Sequence, residues 1–306
     1  MSQQHIKYTD FEPLKQNQFD AERIAGESTS FWKDGWRRFK KNKLAVFGVV
    51  VIILLGIMAF IGGPISGENY YKNTLTNANQ SPSVDHWFGT DNLGRDVFAR
   101  TWYGAKISLF IGLTAAFIDL IIGVIWGSIS GFFGGKVDEY MMRFADILSG
   151  VPYLLVVILL MVVMKPGLWT LIIAMTITGW INMARIVRGQ VMRLKTEEYV
   201  MAARSLGASS SRILTKHLVP NTLGPILVTL TLTIPTAIFT EAFLSYLGLG
   251  VPAPLASWGT MSSDALQAFR YYPYQLFFPA FFICLTMLAF NVIGDGMRDA
   301  LDPKER

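Results

Sequence analysis

Six runs of mostly apolar residues, each near the length that crosses a bilayer, restrict this chain more than anything else in it. They fall at about Leu44 to Gly63, Ile107 to Phe133, Ile147 to Met164, Leu168 to Ala184, Leu223 to Leu247 and Leu276 to Ile293. A helix needs about 20 such residues to span roughly 30 Å of hydrocarbon. Backbone polar groups find no water there, so each run must satisfy them internally, and none shows the period-two alternation of a barrel strand. The expected fold class is an all-α integral membrane protein with six transmembrane helices. A chain with 52% hydrophobic and 16% charged residues, and a mean hydropathy of +0.38, fits no ordinary water-soluble surface. No cleavable leader is expected, because the first apolar run begins only after a long polar lead.

Orientation follows from Lys and Arg. Nine precede residue 44, two lie between the second and third runs, seven between Arg185 and Lys216, and three after the sixth. Only Lys72, Arg95, Arg100, Lys106, Lys165 and Arg270 remain for the other side, which puts both termini in the cytoplasm. The net charge of +5 is thus a topology signal, and no nucleic acid is expected as a partner.

Residues 1–27 read as a flexible cytoplasmic segment and 28–43 as an amphipathic helix in the interface. There Trp32, Trp36 and Phe39 share a face, with Lys33, Arg37, Lys40 and Lys41 around the rest. The plainer alternative is a positive-inside cluster with incidental aromatics. Residues 44–306 hold the spans, with an outer loop at 64–106 too long for a plain turn and a cytoplasmic loop at 185–222.

That cytoplasmic loop contains "EEYVMAARSLGASSSRILTKHLVPN", Glu197 to Asn221. It reads as two short helices, the first ending at Gly207, which takes a left-handed turn without strain, and the second capped by Ser209 or Ser210 and ended near Pro220. Small Ala202 and Ala203 would let a partner approach closely.

The loop resembles the EAA loop of ABC importer permeases, keeping Ala202, Ala203, Gly207 and Pro220 at the family's spacing. Met201, His217 and Val219 depart from the general pattern, but with Glu198, Tyr199, Val200, Leu206, Ala208 and Asn221 they resemble its peptide branch. "HWFGTDNLGRDVFAR", "EAFLSYLGLGVP", "SWGTM" and "NVIGDGMRDALDP" extend the resemblance to the C-terminus, and identify the chain as a member of the C-type permeases of oligopeptide and dipeptide importers. The resemblance implies a type I importer permease fold and a bacterial cytoplasmic membrane location. It implies as partners a homologous B-type permease, two ABC ATPase subunits, an extracytoplasmic peptide-binding protein, a peptide substrate and membrane lipids. It also implies an ATPase-docking loop carried by Glu198, Tyr199, Ala202, Ala203, Arg204, Gly207, Ala208, Arg212, His217 and Pro220. Arg204 and Arg212 read equally as solvated positive-inside charges, and His217 as a packing or capping residue rather than a proton carrier.

No phosphate-binding loop occurs: Gly134-Gly135-Lys136 lacks the leading glycine and is followed by Val137. With no cofactor in this chain, ATP and Mg are expected in partner ATPase subunits. Neither paired carboxylates nor a nucleophile constellation emerges, so the chain reads as a non-catalytic subunit.

Polar residues inside the spans suggest a pathway. Thr229, Thr233, Thr236 and Thr240 recur at helical spacing, followed by Glu241, with Pro235 among them. Intramembrane acids seldom face lipid, so this stripe and Asp119 are candidates for the translocation pathway. Against this, each hydroxyl could simply bond back to its own helix. Asp146 reads as interfacial. Gly123, Gly127 and Gly131 flatten one helix face for close packing, aromatics from Tyr271 to Phe278 suit an interfacial belt, and Cys284 reads as a buried, inert thiol. A dipeptide or nickel permease of the same branch is the alternative. An autonomous secondary transporter is a further one, disfavoured by the docking loop and the lack of an evident inverted repeat.

Overall fold

The computed structural model describes residues 31–301. The 1–27 segment, residues 28–30 of the proposed interfacial helix and the last five residues lie outside the described residues. Eleven α-helices follow in order among the described residues: α1 (Phe31–Lys41), α2 (Lys43–Ser66), α3 (Val97–Phe133), α4 (Gly135–Gly150), α5 (Tyr153–Met164), α6 (Leu168–Leu194), α7 (Glu198–Ser205), α8 (Ser210–Ile213), α9 (Val219–Tyr246), α10 (Trp258–Ala265) and α11 (Tyr274–Leu301).

Five helical stretches are long and apolar enough to cross a membrane: α2, α3, α6, the continuous run Ser210–Tyr246, and α11. The third expected crossing differs. It is a bent pair, α4 and α5, meeting at 81°. Pro152 has no N–H to continue the ladder and disfavours helical backbone at the residue before it, and Val151 is extended (φ −77°, ψ 129°). With α5 only 12 residues long, the pair must act together to complete a sixth crossing.

The bundle is built around α3. Its glycines, Gly123, Gly127 and Gly131, meet α6 with no room for a side chain, since a Cβ on each would collide with Met183, the Ala184 carbonyl and the Arg188 carbonyl. Buried Leu55 of α2, Trp102 of α3, Ile238 of α9 and Phe282 of α11 fill one core, and Ile111, Val157, Leu171 and Leu244 a second. The outward faces stay apolar because lipid is their solvent. Cys284 shows this: expected as buried, it is exposed on α11.

The helices α1 and α2 are separate, because Asn42 caps α2 by accepting from the N–H groups of Leu44 (3.1 Å) and Ala45 (3.2 Å). Trp32 and Trp36 of α1 are exposed, whereas Phe39 turns inward against Ala45 and Ala300. The three aromatics therefore do not share one environment.

The 64–106 segment has structure of its own, as expected, but α3 begins at Val97 rather than Ile107. Asp96 caps it by accepting from Ala99 N–H (2.7 Å), and its other oxygen meets His86 Nδ1 (2.9 Å). Asp91 accepts from Arg95 Nε (2.6 Å) and from the N–H groups of Leu93 and Arg95. Tyr274 and Gln275 of α11 donate to the Thr90 carbonyl (both 3.0 Å), which ties this cap to the bundle.

Candidate functional site

Two regions gather the residues singled out by sequence. The first is the elbow formed by α7 and α8. Gly207 is left-handed (φ +79°), and Ser209 caps α8 by accepting from Arg212 N–H (3.3 Å). Pro220 departs from expectation and ends nothing. A π-helical turn at Leu214–Leu218 precedes it, Val219 N–H bonds the Leu214 carbonyl, and the helix runs on into α9. A π turn offsets the hydrogen-bond register, which lets a helix absorb a proline. Asn221 donates to the His217 carbonyl (2.5 Å) one turn before it.

The elbow is anchored from one side. Val200, Ile213 and Leu218 are fully buried against Phe132 of α3 and Val187 of α6. Lys195 donates to the Gly131 carbonyl (2.8 Å), and Arg204 lies over the Phe132 ring. The opposite side presents apolar groups to solvent: Leu206 is 88% exposed, and Met201 and Tyr199 are exposed beside it. Glu198, Ala202, Arg204, Gly207, Arg212 and Pro220 are also exposed, while Ala203, Ala208 and His217 are half-buried. Nearby, Arg188 of α6 holds Asp138 of α4 through two hydrogen bonds of 2.5 Å, and Ser130 of α3 donates to the same carboxylate.

The second region is an open cleft of about 490 Å³ within the bundle. Thr229, Thr233, Thr236 and Thr240 of α9 line it together with Asp119 of α3. Each threonine hydroxyl also donates to the carbonyl four residues before it, at 2.8 to 3.0 Å. The hydroxyls bond back to their own helix while the same residues line the cleft. Tyr153 of α5, Thr178 and Asn182 of α6, and Arg298 in the last turn of α11 complete the polar lining. Reading the spans one at a time missed these four, because nothing local says which face of each helix meets the others. A polar Asn182 in an apolar run was the available signal.

Glu241 is not with the threonines. It is fully buried in a knot joining α3, α9 and α10, where it accepts from the hydroxyls of Ser257 (2.6 Å), Ser245 (2.8 Å) and Ser108 (3.2 Å). Ser108 in turn accepts from Trp258 N–H (3.1 Å). Glu241→Ala should leave three buried hydroxyls without that acceptor, costing about 3 kcal/mol or more. The expected result is a thermal midpoint several degrees lower for the purified permease, measured by fluorescence in detergent. An unchanged midpoint would contradict a structural role.

Residues 30–82 match the N-terminal transmembrane domain of oligopeptide transport permease C, and residues 123–306 match the binding-protein-dependent transport system inner membrane component. The chain is 65% identical to the oligopeptide transport system permease protein OppC of Bacillus subtilis, over 99% of both chains. It is 57% identical to the dipeptide transport system permease protein DppC of the same organism, over 94% of this chain and 90% of that one. Among solved structures it is similar to an inward-facing conformation of the MetNI methionine ABC transporter (TM-score 0.56, 18% identity, 65% of this chain and 94% of that one), which supports the fold. This chain belongs to the binding-protein-dependent transport system inner membrane component family, as a non-catalytic, multi-pass C-type permease subunit of a peptide ABC importer of the cytoplasmic membrane.

Proposed function

We propose that the chain moves oligopeptides across the cytoplasmic membrane by alternating access, driven through the α7–α8 elbow by separate ATPase subunits that bind ATP and Mg. A B-type permease forms the other wall of the pathway, and an extracytoplasmic binding protein delivers the peptide. Both termini and the 185–222 loop lie in the cytoplasm, the 64–106 segment lies outside, and α1 rests in the interface among lipid headgroups. Oligopeptides are preferred to dipeptides because of the higher identity to the oligopeptide relative.

The observation that carries the coupling reading is the two-sided elbow: Val200, Ile213 and Leu218 are locked into the bundle while Leu206, Met201 and Tyr199 stand in solvent. A solvated connector would not present its largest apolar groups outward. The Thr229, Thr233, Thr236 and Thr240 stripe with Asp119 is assigned to the pathway.

Coupling is tested in vesicles containing the whole transporter. Gly207→Val opposes the left-handed turn by about 1 kcal/mol or more, and Ala203→Leu obstructs close approach. Peptide uptake and the ATP hydrolysis stimulated by loaded binding protein should fall together, with the permease still inserted and paired with its sister subunit. Uptake and stimulation that match the unmodified complex would refute the docking assignment.

A further inference from the structure

We propose that Asp119 and Tyr153 form an acceptor site in the cleft that takes the N-terminal ammonium of the passing peptide. This rests on the pathway reading above and adds the chemical group recognised. Asp119 is 4% exposed, yet its Oδ1 has no hydrogen-bond partner, and the Tyr153 hydroxyl on the facing helix has none either. Buried polar groups left in this way are uncommon and call for a partner, whether water or a ligand. The carboxylate rests directly on Gly179 of α6, where any side chain would displace it.

The surrounding hydroxyls narrow the ligand. Thr229, Thr233, Thr236 and Thr240 have spent their hydrogens on backbone carbonyls, so only their lone pairs are free toward the cleft. Although Asn182 and Arg298 also line the cleft, the site formed by the Asp119 carboxyl group and the threonine stripe therefore offers acceptors. Its complement is a cation with several N–H donors, and an ammonium has three. A transition-metal ion such as nickel is a poor fit: among the described residues no three His, Cys, Asp or Glu side chains come together to hold one.

The test uses the assembled transporter in vesicles, supplied with binding protein and either tetra-alanine or its N-terminal isobutyryl analogue, in which a methyl group replaces the ammonium. In Asp119→Asn, uptake of tetra-alanine should fall at least tenfold, and the preference for the free-amine peptide should shrink by a similar factor. ATP hydrolysis stimulated by loaded binding protein should stay within twofold, because the elbow is untouched. Tyr153→Phe, which retains the charge and the packing, should lower uptake about threefold. A full preference for the free amine in Asp119→Asn overturns the ammonium site, as does a loss of stimulated hydrolysis in proportion to uptake. A third variant separates the two levels: Thr233→Cys, with Cys284 replaced, should lose uptake when a charged thiol reagent is added. If the reagent has no effect, the pathway reading itself falls. If it blocks uptake while Asp119→Asn transports normally, only the ammonium site falls.

Discussion

Gly127→Leu is expected to abolish recovery of the folded permease in complex with its sister subunit. A Cβ at residue 127 would already overlap the Ala184 carbonyl and crowd Val187 Cβ (2.9 Å) and Arg188 N (3.0 Å). Two of those three atoms are backbone, so no rotamer change relieves the clash. The helices must separate, and the contacts at Gly123 and Gly131 above and below are lost with it. The cost should exceed the roughly 1–3 kcal/mol of an ordinary overpacked core. Gly56→Leu supplies the control: it lies on α2, where a Cβ meets nothing within 4 Å, and should assemble normally. The measurement is the yield of heteromeric complex by size exclusion after membrane extraction. Equal yields from the two variants would mean that α3 and α6 are not packed as described.

Leu206→Asp should have the largest effect on activity with the smallest on folding. Leu206 is 88% exposed and touches no core, so the permease by itself loses almost nothing. If the elbow seats in an ATPase groove, the change removes about 2 kcal/mol of apolar burial and places a charge in the seat, a combination worth about 100-fold in docking. Uptake should fall to near background, and ATPase subunits should no longer co-purify, while the thermal midpoint of the permease stays within about one degree. Co-purification at unmodified levels would exclude Leu206 from the contact.

Much of this architecture was legible because membrane helices obey few rules. The apolar runs, the Gly123, Gly127 and Gly131 face, the left-handed Gly207 and the Ser209 cap are all local patterns, and each appears where its residues place it. What escaped was non-local or a contest between local rules. Pro152 and Pro220 are both prolines near a helix boundary. The first breaks the chain by 81°, and the second is carried through by a π turn that no composition announces. Glu241 looked like a pathway acid because its partners Ser108 and Ser257 sit 133 and 16 residues away. The cleft draws its walls from α3, α5, α6, α9 and α11, so only the threonine stripe and Asp119 could be seen from single spans.

That accommodated proline has a mechanical consequence. Because the helix does not stop at Pro220, one rod of 37 residues runs from Ser210, beside the Gly207 turn, to Tyr246 at its far end. At 1.5 Å per residue it is about 55 Å long. A rod of that length pivoting by about 10° at one end sweeps the other through about 10 Å, less whatever bending Pro225 and Pro235 allow along it. Leverage of this kind needs no relay of side chains: the elbow and the Tyr246 end of α9 are two ends of one beam.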